Sequence, residues 1–320
     1  MRLETDIPMH ETQADIFAIA EQQIAPAENH SRDAFLAGLI GSGIGGSRSP
    51  MLHQGEGDAQ GARLIYTLYD FNALGLSVGD ISDFLRSARN LKFSGLNVTY
   101  PYKQAVIPFL DELSDEARRI GAVNTIAFRD GIAKGYNTDG FGFGESLIRG
   151  LPGAALDVVV QIGAGGAGAA TAHTLLEMGA GLLLLHDQDL QRAESLAENL
   201  RAWHGSHRVR IGSDLVASLA AASGVLNATP MGMTGHPGIP LPAAALRPEL
   251  WVADIIYFPL ETELLRAARN RGCRTLGGSG MVVFQAGAAF NIFTGLTADL
   301  ERMLRNFQQG MANEAGARKC

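Results

Sequence analysis

Only two cysteines, Cys273 and Cys320, occur in 320 residues, in neither a Cys-x-x-Cys nor a Cys/His spacing. Neither a disulfide framework nor a zinc site is indicated, and a reducing compartment, the cytoplasm, is the expected location. Basic residues are outnumbered, 26 Lys and Arg against 33 Asp and Glu, for a net charge of −7. That balance argues against a broad nucleic-acid or anionic-membrane surface and leaves room only for a local basic patch. No apolar run escapes a Gly, Pro or charge for long enough to span a bilayer. The first 30 or so residues carry Asp6, Glu11, Asp15 and Glu21 without the apolar centre of a signal peptide. A soluble, globular enzyme or binding protein with a small-molecule partner is what remains, with a homodimer left open. At 46% hydrophobic residues the chain is long enough for two domains.

Glycine, by contrast, is plentiful, with 39 residues, and its densest patterned use lies in 157–187. Val158 to Ile162 reads as a strand that breaks into Gly163, Ala164, Gly165, Gly166, Ala167 and Gly168 and continues as an Ala/Leu-rich helix. Gly163 allows the turn, Gly165 lets backbone approach a diphosphate, and Gly168 lets the helix pack on the strand. Free N–H groups at the helix start would hold the diphosphate. A second apolar run, Leu182 to Leu185, ends at His186-Asp187, where a carboxylate is placed to accept from an adenosine ribose. Strand, triplet, helix, strand and acid fall in register, so this stretch is read as an NAD(H) site rather than a structural turn. The strand and turn Val225 to Gly232, with Asn227, Ala228 and Thr229, is suited to line a nicotinamide.

Other loops carry polar groups where open α/β sheets place ligands. Phe35 to Ile40 runs into a glycine-rich loop with Ser47 and Ser49, spaced so that both hydroxyls turn to one ligand. Ser49-Pro50 reads equally well as the cap of the next helix. Leu96 to Tyr100 reads as a strand presenting Asn97 and Thr99 on one side, with Lys103 at the entrance to the following helix; a solvated surface lysine is the plain alternative. Asn124 precedes a further strand, and Asp139 lies in an Asn/Thr/Gly-rich segment where a helix cap is the plain alternative. Gly140, Gly142 and Gly144 suit a hinge. Alternating strands and helices in both halves predict an α/β protein with parallel sheets covered on both faces. Residues 1–35 read as an extension, in which Asp15 to Ile24 suits a short amphipathic helix. Residues 36–139 plus 278–320 read as an open, mainly parallel α/β substrate domain, and 140–277 as a Rossmann-type doubly wound dinucleotide domain, with a cleft between them.

The motifs SRSP at 47–50, NVTYPYK at 97–103, GAVNT at 121–125, YNTDG at 136–140, GAGGAG at 163–168, NATPMGM at 227–233 and Gln285 in GMVVFQ resemble, in this order, those of the shikimate dehydrogenase family, most of all its NAD-dependent quinate/shikimate dehydrogenase branch. The resemblance runs from about residue 36 to 305. It implies that Lys103 and Asp139 form the catalytic dyad. It also implies that Ser47, Ser49, Thr99, Asn124 and Gln285, with Tyr257 nearby, bind substrate, and that Gly280 and the 227–229 turn approach the nicotinamide. The implied reaction is reversible hydride transfer, 3-dehydroshikimate to shikimate or 3-dehydroquinate to quinate, without a metal. Where NADP-dependent members carry Asn-Arg-Thr after the second cofactor strand, this chain has Asp187-Gln188-Asp189 and then Arg192, which points to NAD over NADP. Ser49 stands where the quinate branch often has Thr, which points to shikimate over quinate; a quinate dehydrogenase or an amino-shikimate-type relative is the alternative reading. A non-catalytic dinucleotide sensor would need neither Lys103 nor Asp139. A glutamyl-tRNA reductase would need a thiol in the substrate loops, where neither cysteine lies.

Overall fold

The computed structural model describes residues 34–317, with side chains through 311. Residues 1–33 of the extension, with its proposed helix at 15–24, and Cys320 lie outside the described residues, and Phe35, the last residue of the expected extension, opens the first strand.

Two six-stranded sheets organise the chain, each with its own α/β domain. The first has the order β2 (Leu64–Asp70), β1 (Phe35–Gly41), β3 (Gly95–Val98), β5 (Thr125–Arg129), β6 (Ile132–Tyr136) and β4 (Glu112–Leu113). Strand β1 runs parallel to both neighbours, whereas β3, β5 and β6 pair antiparallel. The sheet is therefore mixed, where continuous alternation predicted a parallel one. For the β5–β6 pair the cause is local: Asp130 and Gly131 both have positive φ, 51° and 79°, the backbone of a two-residue hairpin turn. That turn reverses the chain without a crossover helix.

The second sheet has the order β12 (Arg274–Leu276), β11 (Trp251–Asp254), β10 (Gly224–Asn227), β7 (Val158–Ile162), β8 (Leu182–His186) and β9 (Val209–Ile211), and every pair is parallel. Numbered from β7 this is the 3-2-1-4-5-6 order of a dinucleotide-binding fold, whose crevice opens where the strand order reverses, between β7 and β10. The glycine motif follows β7, and the 227–229 turn follows β10. Strand–helix alternation in 158–276 produced this half as predicted, because both sheet faces are covered and the strands are nearly continuous apolar runs.

Two helices join the sheets. Ser279–Thr294 contributes Val283, Phe284, Ala286 and Phe290 to the core beneath β1, while Asp139–Gly150 contributes Phe143 and Leu147 to the core beneath β7. A Cβ on Gly142 would lie 2.5 Å from the Met281 carbonyl oxygen, and one on Gly280 would lie 2.3 Å from Ser146 Oγ. Reciprocal glycines thus let the helices touch. Gly140 and Gly144 face Thr174 of the Gly166–Glu177 helix in the same way. The three glycines predicted to form a hinge lie inside a helix instead, and what they provide is close packing. The Leu300–Ala317 helix returns to the first domain through Met303, Phe307 and Met311.

Candidate active site

Lys103 Nζ donates to Asp139 Oδ2 at 2.5 Å, joining residues 36 positions apart, with side chains 18% and 8% exposed. Neither plain alternative holds. Lys103 is not on a solvated helix face; it lies in an irregular turn between the cis Tyr100–Pro101 bond and the short Ile107–Phe109 helix, so the helix expected at Lys103 is absent. Asp139 is the first residue of its helix, not the cap, and its side chain takes no capping bond.

Its second oxygen is also engaged. Asn124 Nδ2 donates to Asp139 Oδ1 and to Thr138 Oγ1, both at 2.9 Å, while Asn124 Oδ1 accepts the Thr138 N–H at 2.8 Å and the Thr125 hydroxyl at 2.9 Å. Asn124 is 3% exposed and has every amide valence used, so in this conformation it orients Asp139. Gln285 reaches the same cluster from the Ser279–Thr294 helix, with Oε1 3.4 Å from Thr138 Oγ1 and Nε2 donating to the Val282 carbonyl.

On the other side, Ser47 Oγ donates to Ser49 Oγ at 3.2 Å, so the two hydroxyls do meet. The cap reading of Ser49 fails: Ser49 is the first residue of the Ser49–Ala59 helix, Arg48 is the cap position, and no side chain caps it. Pro50 sits in the first turn as expected. Thr99 lies past the end of β3 with its methyl against Gly41, because the strand stops at Val98. Tyr257 is half-buried against the core of the first domain. Burial raises its phenol above the ordinary range, and the charge of Arg48 opposes that rise.

The cofactor side is equally compact. Gly163 has φ 108°, and a Cβ there would lie 2.6 Å from the Ala228 carbonyl oxygen and 3.0 Å from the Thr229 methyl, so the turns after β7 and β10 touch. A Cβ on Gly168 would strike the Gly163 carbonyl, whereas Gly165 has nothing within 4 Å and leaves its backbone open. No side chain caps the Gly166–Glu177 helix. Uncapped N–H groups behind an open glycine form an anion site, so these residues fit a dinucleotide diphosphate. Asp187 Oδ2 accepts the Ala164 N–H at 2.7 Å and Oδ1 that of Asp189 at 2.8 Å, which fixes the carboxylate beside the loop. Arg192 pairs with Asp189 at 3.4 Å, both half-exposed. Asn227 is spent on the fold, donating to Met231 and Asp254 and accepting from Thr229. Gly280 packs on Ser146, as above. The two sides meet at Gly166, where a Cβ would lie 3.7 Å from Lys103 Cδ.

Residues 39–126 match the model for the shikimate dehydrogenase substrate binding domain. Over 290 residues the chain is 51% identical to the NADP(+) shikimate dehydrogenase of Streptomyces avermitilis, covering 90% of this chain and 99% of that one. The chain belongs to the shikimate dehydrogenase family. It is also 46% identical to the NAD(+) quinate/shikimate dehydrogenase of Corynebacterium efficiens, over 87% of this chain and 99% of that one. A solved quinate dehydrogenase from Corynebacterium glutamicum in complex with NAD superposes with a TM-score of 0.82 at 45% identity, over 87% of this chain and all of that one. As a family member the chain is an oxidoreductase of a CH–OH group that uses a nicotinamide dinucleotide and interconverts shikimate and 3-dehydroshikimate. Among the described residues no helix is long and apolar enough to cross a membrane.

Of the residues the sequence singled out, Ser47 and Ser49 pair with each other, and Lys103, Asp139, Asn124 and Gln285 lie in one cluster. Tyr66 and Thr125, which have no role in any motif as read, are part of it. A buried Asp254 was likewise overlooked: burial raises its pKa although Thr262, Asn227 and the Ile256 N–H all donate to it.

Proposed function

We propose that this dehydrogenase uses NAD in preference to NADP, oxidises shikimate in preference to quinate, and moves the hydroxyl proton through Lys103 and Asp139. The observation that carries the reading is the Lys103–Asp139 pair, part-buried beside the glycine turn at Gly166. In the oxidative direction Lys103 Nζ takes the proton of the reacting hydroxyl, and Asp139 holds the resulting ammonium in place. In the reductive direction the same nitrogen returns it. When bound, the nicotinamide accepts or supplies the hydride at the ring carbon. Ser47, Ser49, Thr99 and Gln285 are assigned to the ring hydroxyls and carboxylate, and Asn124 to holding Asp139 or, by exchanging one bond, to substrate. Residues 36–139 with 278–320 are assigned to the substrate side and 140–277 to the dinucleotide side. A cytoplasmic location fits the cysteine-poor composition.

What supports NAD is charge. A 2′-phosphate beside Asp187 meets a carboxylate, Gln188 supplies no guanidinium, and Arg192 is paired to Asp189. The relatives carry both cofactor names, so overall identity does not choose between them. What supports shikimate is the extra tertiary hydroxyl of quinate, which costs roughly 1–3 kcal/mol if buried unpaired. Ser49 lacks the methyl that would fix the aim of its hydroxyl.

The test is a set of kcat/KM values for shikimate and quinate with NAD and NADP, on the natural chain and on Asp187→Asn/Gln188→Arg. Shikimate with NAD is expected to be the best pair by about tenfold or more, and the double variant is expected to move preference toward NADP. Equal efficiency with both cofactors overturns the first assignment, and equal efficiency on both acids the second.

A further inference from the structure

A chain of buried side chains connects Tyr66 to Asp139. Tyr66 OH donates to Asn97 Oδ1 at 2.7 Å, Asn97 Nδ2 donates to Thr125 Oγ1 at 2.9 Å, the Thr125 hydroxyl donates to Asn124 Oδ1 at 2.9 Å, and Asn124 Nδ2 donates to Asp139 Oδ1 at 2.9 Å. All five groups are at most 6% exposed, and Thr125 is fully buried. At the far end Ser49 lies near enough to the Tyr66 phenol to work against the upward effect of burial on it.

The direction of this chain is forced. Asn97 Nδ2 also faces the Asn124 backbone carbonyl at 3.2 Å, which only accepts, so this end of the amide is the donor and Oδ1 must accept from Tyr66. Asn124 Oδ1 faces the Thr138 backbone N–H, which only donates, so Nδ2 must turn to Asp139. Thr125, accepting from Asn97, has its one proton left for Asn124. Two backbone groups therefore fix the chain so that every donor points toward the carboxylate. Bonds aligned in this sense polarise one another in a low-dielectric interior.

We infer that Thr125 and Tyr66 are positioning residues of the reaction. Through Asn124 they hold Asp139 in the orientation that meets Lys103. The inference rests on the proposed proton-transfer role of Lys103 and Asp139. The charged and titratable groups along this path are Lys103 on the far side of Asp139, Tyr66 itself, and His53, whose ring stacks on Tyr66 at 4.5 Å. Burial keeps both of the latter neutral: it drives the Tyr66 phenol up and His53 down to about 3.

The test compares Thr125→Val, which keeps the shape and removes the hydroxyl, with Thr125→Ser, using the full chain with shikimate and NAD. Thr125→Val is expected to lower kcat about tenfold and change KM for shikimate less than about twofold. Thr125→Ser is expected to restore kcat. If Thr125→Val does not fold, Tyr66→Phe is expected to show the same split in smaller measure. A folded Thr125→Val with the natural kcat overturns the inference, as does a loss that Thr125→Ser fails to restore. Asp139→Asn separates the two levels: if it is inactive while Thr125→Val is normal, only the relay fails; if Asp139→Asn turns over normally, the proton-transfer reading fails with it.

Discussion

His53 shows what a single buried side chain contributes without touching the chemistry. It is 1% exposed, stacked on Tyr66 and tilted against Phe293, and neither ring nitrogen meets a partner at hydrogen-bond geometry. Burial, offset in part by Asn97, lowers its pKa from 6.5 to about 3. His204, which shares a 2.9 Å hydrogen bond with the buried His173, is lowered to about 4 by burial first and by His173 second. For such groups the unfolded chain takes up the proton first as pH falls. Stability is complete above about 6.5 and declines from there toward the folded value, by at most about 1.4 kcal/mol per pH unit per histidine. Thermal unfolding midpoints are therefore expected to fall between pH 7 and pH 5, and His53→Phe, which keeps a flat ring and removes the titration, is expected to flatten the decline. Parallel pH profiles for the two proteins would contradict this account of His53.

The helix Ser49–Ala59 is the element that aims the two serines, and its far end is anchored. Glu56 has no side-chain exposure and accepts from Arg302 through Nε at 3.0 Å and Nη2 at 2.6 Å, from Gln60 at 2.6 Å and from the Asp299 N–H at 2.8 Å. Replacing Arg302 by Met leaves a buried carboxylate short of its cation, a change that costs roughly 3–5 kcal/mol in comparable sites. The same variant is expected to raise KM for shikimate several-fold with a smaller effect on kcat, because the loosened helix begins at Ser49, whose hydroxyl pairs with Ser47. A large stability loss with unchanged KM would make the anchor purely structural. Sequence reading found elements of this kind unevenly. The β7 strand, its glycine turn and helix were legible because each residue type answers a local demand of backbone geometry. The Asp130-Gly131 turn carried a local signal too, but the short strands beside it, with Gly135 inside one of them, obscure the two-residue alternation. Thr99 was assigned to a strand that stops one residue earlier.

At the scale of the molecule, what mattered most for the site was least legible. Tyr66 and Asn97 are 31 positions apart, and Asn97 and Thr125 are 28 apart. They meet only because β1 is flanked by β2 and β3, and β3 by β5, a strand order that no local pattern encodes. The glycines at 140, 142 and 144 likewise take their meaning from helices brought alongside by the two-sheet arrangement. That arrangement sets Lys103, from the first domain, against Gly166 of the second and against Asp139 at the start of the helix that joins them. If this pair moves the proton, its loss must appear in the chemical step. The decisive measurement is steady-state oxidation of shikimate with NAD by Lys103→Ala. The account predicts that kcat falls by about 10²–10⁴ while KM changes little, and a variant with near-natural kcat and a raised KM alone would contradict it, leaving Lys103 as a residue that only binds substrate.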